Sequence, residues 1–169
     1  MGQQPGDFAS FYEGARDDCL RAVLAAVGDR ELAEDLVAEA FARAWSSWPK
    51  IAGHPAPRAW IVRTALNTRV SWWRRRRREV PARDWGEHDR QDRAGAPEVM
   101  PDPRLMAALR ALPVRQREVV ALRVFLDLDT GTTARALGIA PGTVTAHLAR
   151  ATRALRAHLL TATAQEPLP

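Results

Sequence analysis

The sequence predicts an all-α protein made of two small helical domains that a flexible linker joins. Apolar residues recur at steps of three and four on both sides of the middle of the chain, as expected of helices with one buried stripe. Between them lies an acidic segment, residues 79–103, which proline and glycine punctuate and which lacks this periodicity. A length of 169 residues suits one domain or two small ones.

Three helices are predicted in the first domain, residues 8–78. The first ends at Gly28, and Asp29 is suited to cap a second helix that runs to Trp48. Pro49 and residues 53–57 interrupt the pattern, and a proline then opens a third helix that runs to Arg78. The predicted buried stripes are Phe8, Phe11, Ala15, Cys19, Val23 and Val27 on the first helix, and Leu32, Leu36, Ala40, Ala44 or Trp45, and Trp48 on the second.

The linker is expected to be an extended, mobile tether, because its composition buries too little apolar surface to offset the entropy of ordering. The second domain, residues 104–160, follows it. Short helices are predicted at about 103–111, 113–126, 130–137 and 141–160, and the ends at 1–7 and 161–169 are expected to be disordered.

The last two predicted helices have the pattern of a helix-turn-helix. Gly138 permits the positive φ that the turn needs, and Ile139 and Val144 fill the angle between the helices. Pro141 begins the second, recognition helix. A plain helical hairpin is the alternative reading. The recognition helix is predicted to bury Val144, Leu148, Ala151, Leu155 and Leu159, and to leave Thr143, Thr145, Ala146, His147, Ala149, Arg150 and Arg153 outward.

The third helix carries an unusual concentration of positive charge. Residues 51–78 hold eight arginines and no carboxylate, with Trp60, Trp72 and Trp73 among them. Guanidinium groups neutralise phosphates and indole rings stack on bases, so the mixture suits partly single-stranded DNA. The alternative is a solvated basic helix with core tryptophans, and which of Trp72 and Trp73 is exposed stays open.

Charge alternates along the whole chain. The net charge is −4 over residues 1–50, +8 over 51–78, −4 over 79–103 and +5 over 104–169, which gives +5 in total. A protein that merely coats DNA would gain from being basic throughout. The partition predicts two DNA-facing surfaces and a separate acidic surface for another partner.

The sequence gives little support for a disulfide-bonded protein, a metalloprotein, an enzyme or a membrane protein. Cys19 is the single cysteine and forms neither an internal disulfide nor a cysteine cluster for zinc. Glu34, Asp35 and Glu39 have no histidine near them in sequence, so neither a metal site nor a cofactor is expected. With no nucleophile–base pair or phosphate loop, the chain is not expected to be an enzyme. The start lacks a leader and no apolar run approaches a membrane span, so a cytoplasmic protein is expected.

Two pairs of segments resemble one family. DRELAEDLVAEAFARAWSSW from Asp29 and PRAWIVRTALNTRVSWWRRRRR from Pro57 resemble region 2 of extracytoplasmic-function (ECF) sigma factors of the sigma-70 family. LPVRQREVVALR from Leu112 and ALGIAPGTVTAHLARATRALR from Ala136 resemble region 4 of the same family, in the right order. The resemblance covers roughly residues 8–78 and 104–160.

The resemblance implies partners and binding residues. Region 2 binds the β′ clamp helices of core RNA polymerase and opens the −10 element, while region 4 sits on the β flap and reads the −35 element as duplex. The implied polymerase contacts are Asp35, Leu36, Glu39 and Arg43. The implied −10 contacts are Arg58, Arg63, Asn67, Arg69, Trp73, Arg74 and Arg75. The implied −35 contacts are Thr143, Thr145, Ala146, His147, Arg150 and Arg153.

The resemblance therefore predicts a sigma factor that directs polymerase to promoters, with no membrane partner. An anti-sigma factor as a further partner is left open. The alternative is a stand-alone helix-turn-helix regulator, which should carry a sensor or dimer module and bind operator DNA unaided. The other half of this chain offers an acidic helix and an arginine-rich helix instead.

Overall fold

The computed structural model describes the backbone of residues 5–79 and 102–164, and the side chains of 7–71 and 102–161. Helices are the regular structure found in these ranges, which confirms the all-α prediction. No helix there is long and apolar enough to cross a bilayer. The first domain comprises α1 (Pro5–Val27), α2 (Arg30–Ser46), α3 (Trp48–Ala52) and α4 (Pro57–Glu79). The second comprises α5 (Pro103–Ala111), α6 (Val114–Val120), a π-helical turn (Ala121–Phe125), α7 (Thr130–Leu137) and α8 (Pro141–Ala164).

The junction between α1 and α2 follows the sequence prediction. Gly28 adopts φ +76°, a left-handed conformation that ends α1 without the steric cost a side chain would bring. The Asp29 side chain then accepts a hydrogen bond from the Leu32 backbone N–H at 2.8 Å. That bond satisfies one of the donors left free at the start of α2.

The predicted continuation of α2 through Trp48 is wrong. α2 ends at Ser46, where the Ser47 N–H turns back to the Ala44 carbonyl at 3.1 Å, and Trp48 begins the separate helix α3. Pro49 does not interrupt this helix as predicted. It lies in the first turn of α3, where a backbone N–H would have no helical acceptor, so proline is tolerated.

The first domain closes around an aromatic cluster where α1, α2 and α3 meet. The Phe11 ring stacks on Trp48 with ring centres 5.1 Å apart, and Phe8 meets Trp48 edge-on at 5.1 Å. Pairs of this kind contribute about 0.5–1.5 kcal/mol beyond area burial. Of the two candidates for the α2 stripe, Ala44 is buried and Trp45 is 51% exposed.

The helix-turn-helix of the second domain forms as predicted. Gly138 has φ +66° at the end of α7, and the Ile139 N–H donates to the Ala134 carbonyl at 3.1 Å. Val144 is fully buried against Val119 and Ala134. These contacts fix the angle at which α8 leaves α7.

The predicted helix 113–126 is not uniform. Its second half is a π-helical turn in which the Leu126 N–H donates to the Ala121 carbonyl, five residues back, at 3.1 Å. The turn buries Ala121 and Leu122 and brings the Arg123 guanidinium to the Leu128 carbonyl. Such a local widening has no signature in apolar periodicity, so the sequence did not predict it.

The two domains do not stand apart. α1 packs against α5, α6 and the π-helical turn, and α4 packs against α7. The predicted linker segment 80–101 lies outside the described residues.

Candidate nucleic-acid and polymerase interfaces

An open groove of about 500 Å³ lies between α2 and α4. Asn67 is exposed on its α4 wall, one turn from Thr64 and two from the half-buried Trp60. An amide both donates and accepts hydrogen bonds, and an indole face stacks on a base, so these walls suit an unpaired nucleotide. The complete lining is Arg43, Ser46, Ser47, Trp60, Thr64 and Asn67.

The α2 wall of this groove was not among the predicted −10 residues. Ser46 and Ser47 belong to the end of α2 and the junction after it, far from α4 in sequence. Arg43 was assigned to the polymerase surface, but it also lines the groove, and its Nη1 donates to Thr68 Oγ1 at 3.1 Å. The break at Ser47, which the sequence did not reveal, places these hydroxyl groups there.

The predicted −10 arginines differ in their surroundings. Arg58 binds the Asp18 carboxylate at 2.7 Å and the Gly14 carbonyl at 2.8 Å, so its guanidinium ties α4 to α1. Arg63 is exposed, and its Nη1 lies 3.5 Å from the Arg135 carbonyl in the second domain. Burial lowers the pKa of Arg117 on α6, and the charge of the half-buried Arg69 lowers it further. Trp73, Arg74 and Arg75 lie outside the described side chains.

The outer face of α2 is the candidate polymerase surface. Asp35 is exposed, and Glu39, one turn on, forms an ion pair with Arg43. The Glu39 charge is therefore partly offset, and Asp35 is the more accessible carboxylate. The prediction that Leu36 contacts polymerase needs correction. Its side chain is only 2% exposed, inside the core of the first domain, because it occupies the α2 stripe.

The side chains predicted to lie on the outer face of the recognition helix α8 differ in how exposed they are. Thr143, Thr145, Arg150 and Arg153 are exposed, whereas Ala146 and His147 are half-buried. Thr145 Oγ1 donates to the Pro141 carbonyl at 3.2 Å. A shallow groove of about 490 Å³ runs along this face. It is lined by Thr145, Leu148, Ala149, Thr152, Arg153 and Arg156.

The His147 ring is partly exposed and partly buried. Its ring is partly accessible, while Nδ1 is buried and has no hydrogen-bond partner in the described part of the chain. The remaining ring nitrogen is therefore the atom suited to reach a base edge.

Comparison with known families accounts for both domains. The model of Sigma-70 region 2 matches residues 11–79, and the model of Sigma-70 region 4 matches residues 103–155. The RNA polymerase sigma-E factor of Streptomyces coelicolor is 36% identical over 156 residues, which cover 91% of this chain and 86% of the relative. The chain belongs to the ECF sigma factors of the sigma-70 family. Its function is therefore that of an RNA polymerase sigma factor in transcription initiation, as the resemblance predicted.

Other ECF sigma factors align over similar lengths. SigX of Bacillus subtilis is 25% identical, with 90% of this chain and 83% of the relative covered. The solved structure of the sigma factor RpoE of Bartonella quintana in complex with the anti-sigma factor NepR matches with a TM-score of 0.72 at 23% identity. That match covers 90% of this chain and 96% of the other. At this identity the likeness concerns the fold.

Proposed function

We propose that this sigma factor captures the non-template strand of the −10 element in the groove between α2 and α4. Asn67 and Trp60 are the proposed base-contacting residues, and Arg63 and Arg69 are the proposed backbone contacts. The observation that carries this proposal is the groove itself, which is open, large enough for a nucleotide and lined by an amide, an indole and hydroxyl groups. We assign Arg58 a structural role rather than a DNA contact, since its guanidinium binds the Asp18 carboxylate and the Gly14 carbonyl.

Recognition of the −35 element is assigned to the exposed face of α8. Thr143, Thr145 and His147 are proposed to face base edges, and Arg150 and Arg153 to meet phosphates, as a recognition helix in the major groove does. The exposure of Thr143, Thr145, Arg150 and Arg153 supports the assignment, and His147 is half-buried beside them.

The outer face of α2 is proposed to dock on the β′ clamp helices of core polymerase, with the second domain on the β flap. Asp35 is the central residue, because its carboxylate is exposed and forms no ion pair with the residues that the structure describes. A sigma factor of this kind acts as a non-catalytic subunit in the cytoplasm. Since the Bartonella relative was solved with an anti-sigma factor, we include such a partner in the proposal.

Charge reversal tests the polymerase dock. Asp35→Arg should abolish core binding and promoter-dependent transcription while the helix content and the weak DNA binding of the free chain stay intact, because only the clamp-facing charge is reversed. The measurements are a pull-down with core enzyme and run-off transcription. Asp17→Arg is the matched control, since Asp17 is 74% exposed on α1 and the charge change is the same. Full core binding by Asp35→Arg would rule out this face as the dock.

A further inference from the structure

Small side chains occupy the middle of the outward side of α8. Thr145, Ala149 and Thr152 follow one another at steps of four and three, so they lie on one stripe of the helix, and all three are exposed. Alanine neither donates nor accepts a hydrogen bond through its side chain. The Thr145 hydroxyl donates to the Pro141 carbonyl at 3.2 Å, so its proton is already used within the helix. This stripe therefore offers a base mainly apolar surface.

The shallow groove of about 490 Å³ follows the same stripe. The half-buried Leu148 also lines it, and adds a branched apolar side chain between Thr145 and Thr152. Arg153 and Arg156 line the part of the groove that lies further along the helix. The groove is thus apolar toward the N-terminal half of α8 and cationic toward the C-terminal half.

An apolar strip on a recognition helix distinguishes bases by the methyl group that some of them carry. Thymine presents its C5-methyl group in the major groove, and alanine and threonine side chains are suited to contact it. Cytosine methylated at C5 presents the same group on the same ring atom. Uracil and unmodified cytosine have only a hydrogen there, so they would leave the apolar surface without a partner.

The charge around the groove favours DNA as its occupant. Residues 104–169 carry a net charge of +5, and both arginines of the groove are exposed. An apolar protein segment laid along the groove would leave two guanidinium groups without counter-charges, whereas the phosphates of a duplex supply them. The groove is also continuous with Thr145 and Arg153, which belong to the proposed −35 surface.

We infer that Ala149, together with Thr145 and Leu148, reads the C5-methyl group of a pyrimidine in the −35 element. The pyrimidine is thymine or 5-methylcytosine, which share this group. The inference rests on the proposed −35 role of α8 and adds the chemical group that the helix recognises. Methylation of a cytosine at this position is then a mark that the sigma factor detects directly.

The expected effect is modest and measurable. Burial of one methyl group contributes about 0.8 kcal/mol, which corresponds to a change of about four-fold in the dissociation constant. Replacement of thymine by deoxyuridine removes only this methyl group and leaves the hydrogen-bonding groups of the base pair in place. A loss of about four-fold at one position is therefore the signature of a methyl contact.

The test uses holoenzyme formed from core polymerase and the full chain. Selection from duplexes randomised across the −35 element gives the preferred sequence, in which thymine should be enriched at one position or more. Each thymine is then replaced singly by deoxyuridine, and fluorescence anisotropy gives the ratio of the dissociation constants for the uracil and thymine duplexes. This uracil/thymine ratio should be about four at the contacted position.

A second arm separates the two sources of the methyl group. At the contacted position, a pair of guanine with 5-methylcytosine should bind about four-fold more tightly than the same pair with unmodified cytosine. A response to both bases supports methyl reading in general. A response in the uracil arm alone supports it for thymine as the source.

Substitutions on α8 assign the contact to Ala149. Ala149→Gly should lower the uracil/thymine ratio to below about two, because it removes the methyl group that meets the base. Ala157→Gly is the matched control, since Ala157 is exposed on the same helix, lies outside the groove lining and has the same cost in helix propensity. Each ratio compares two duplexes with one protein, so a general loss of stability cancels.

Ala149→Gln keeps the assignment testable if the glycine variant loses helix content. Its amide is suited to adenine, so the preferred base at the contacted position should change from thymine to adenine. An unchanged uracil/thymine ratio in both Ala149 variants would overturn the assignment. Weaker binding to core polymerase without DNA, with that ratio unchanged, would give the groove to a protein partner and would also overturn it.

Failure of this inference is distinguishable from failure of the proposed function. An enriched −35 sequence in which every thymine tolerates replacement by deoxyuridine overturns methyl reading and leaves the −35 role of α8 intact. The absence of any enriched sequence overturns both, because α8 would then make no sequence-specific contact.

Discussion

Individual side chains decide where helices begin in this sigma factor. Asp129 caps α7 by accepting from the Thr132 N–H and from the Thr132 hydroxyl, each at 2.8 Å. These hydrogen bonds, the backbone one first, lower the pKa of the Asp129 carboxyl below its ordinary value of 3.8. The ionised form is therefore the one that stabilises the first helix of the helix-turn-helix.

A pH dependence follows from this cap. Because the folded-state pKa is depressed, the contribution is fully present above about pH 4 and is lost as the pH falls through the lower, folded-state value. Asp129→Asn keeps a capping oxygen that does not titrate, so its melting temperature should fall less than that of the wild type between pH 5 and about pH 2. Thermal melts by circular dichroism measure this. Asp127→Asn, which removes an exposed carboxylate from the same loop, should follow the wild type, and identical acid profiles for both variants would contradict the assignment.

At the scale of one element, α8 divides its surface between packing and recognition. Val144 and Ala151 are fully buried, while Arg150 and Arg153 point to solvent from the same helix. The period of about 3.6 residues separates these faces. The sequence indicated both faces, but it did not indicate that His147 would be half-buried with Nδ1 enclosed.

The two kinds of α8 residue should respond differently to substitution. Arg150→Ala should weaken binding to all −35 sequences alike and reduce the salt slope by about 1, as loss of a phosphate contact does. His147→Ala should instead change preference at one or two base pairs by about 1–3 kcal/mol each. Holoenzyme binding to a set of −35 variants at several salt concentrations separates these effects. Thr161→Ala, at an exposed position near the end of α8, is the control. Uniform losses for both variants would show that His147 does not read bases.

For the whole molecule, we expect the two proposed DNA-binding surfaces to become effective only when they act together. The free chain presents the α4 groove and the α8 face on domains that pack against each other. We expect core polymerase to hold the domains at a set separation, which would make the second contact effectively intramolecular.

Polymerase dependence should therefore be large. The free chain should bind duplex promoter DNA weakly and with steep salt dependence, about −0.9 in the log–log slope per phosphate contact. Core enzyme should raise the affinity by roughly 10²–10⁴ without new contacts from this chain. Fluorescence anisotropy of a labelled promoter fragment, with and without core, measures both quantities, and core alone provides the baseline. Equal affinities of the free chain and the holoenzyme would favour a stand-alone regulator instead.

The sequence by itself determined most of the helices, the Asp29 cap and the helix-turn-helix, but neither the break at Ser47 nor the π-helical turn. The predicted features depend on residues close together in the sequence. Gly28 and Gly138 permit positive φ, Asp29 caps α2, and Val144 lies on the buried stripe of α8. The family resemblance predicted which surfaces face DNA and polymerase. The assignment of individual DNA and polymerase contacts stays a prediction.

Only the tertiary structure decided what each surface residue is able to touch. Arg58 and Arg63 look alike in the sequence, yet one is held by Asp18 and the other reaches the second domain. Leu36 fits a docking helix by pattern but lies in the core. The contact between Arg110 and Gly28 joins residues 82 positions apart. Periodicity reports only neighbours within a helix, whereas these outcomes depend on which helix faces which, and that is settled when the two domains pack.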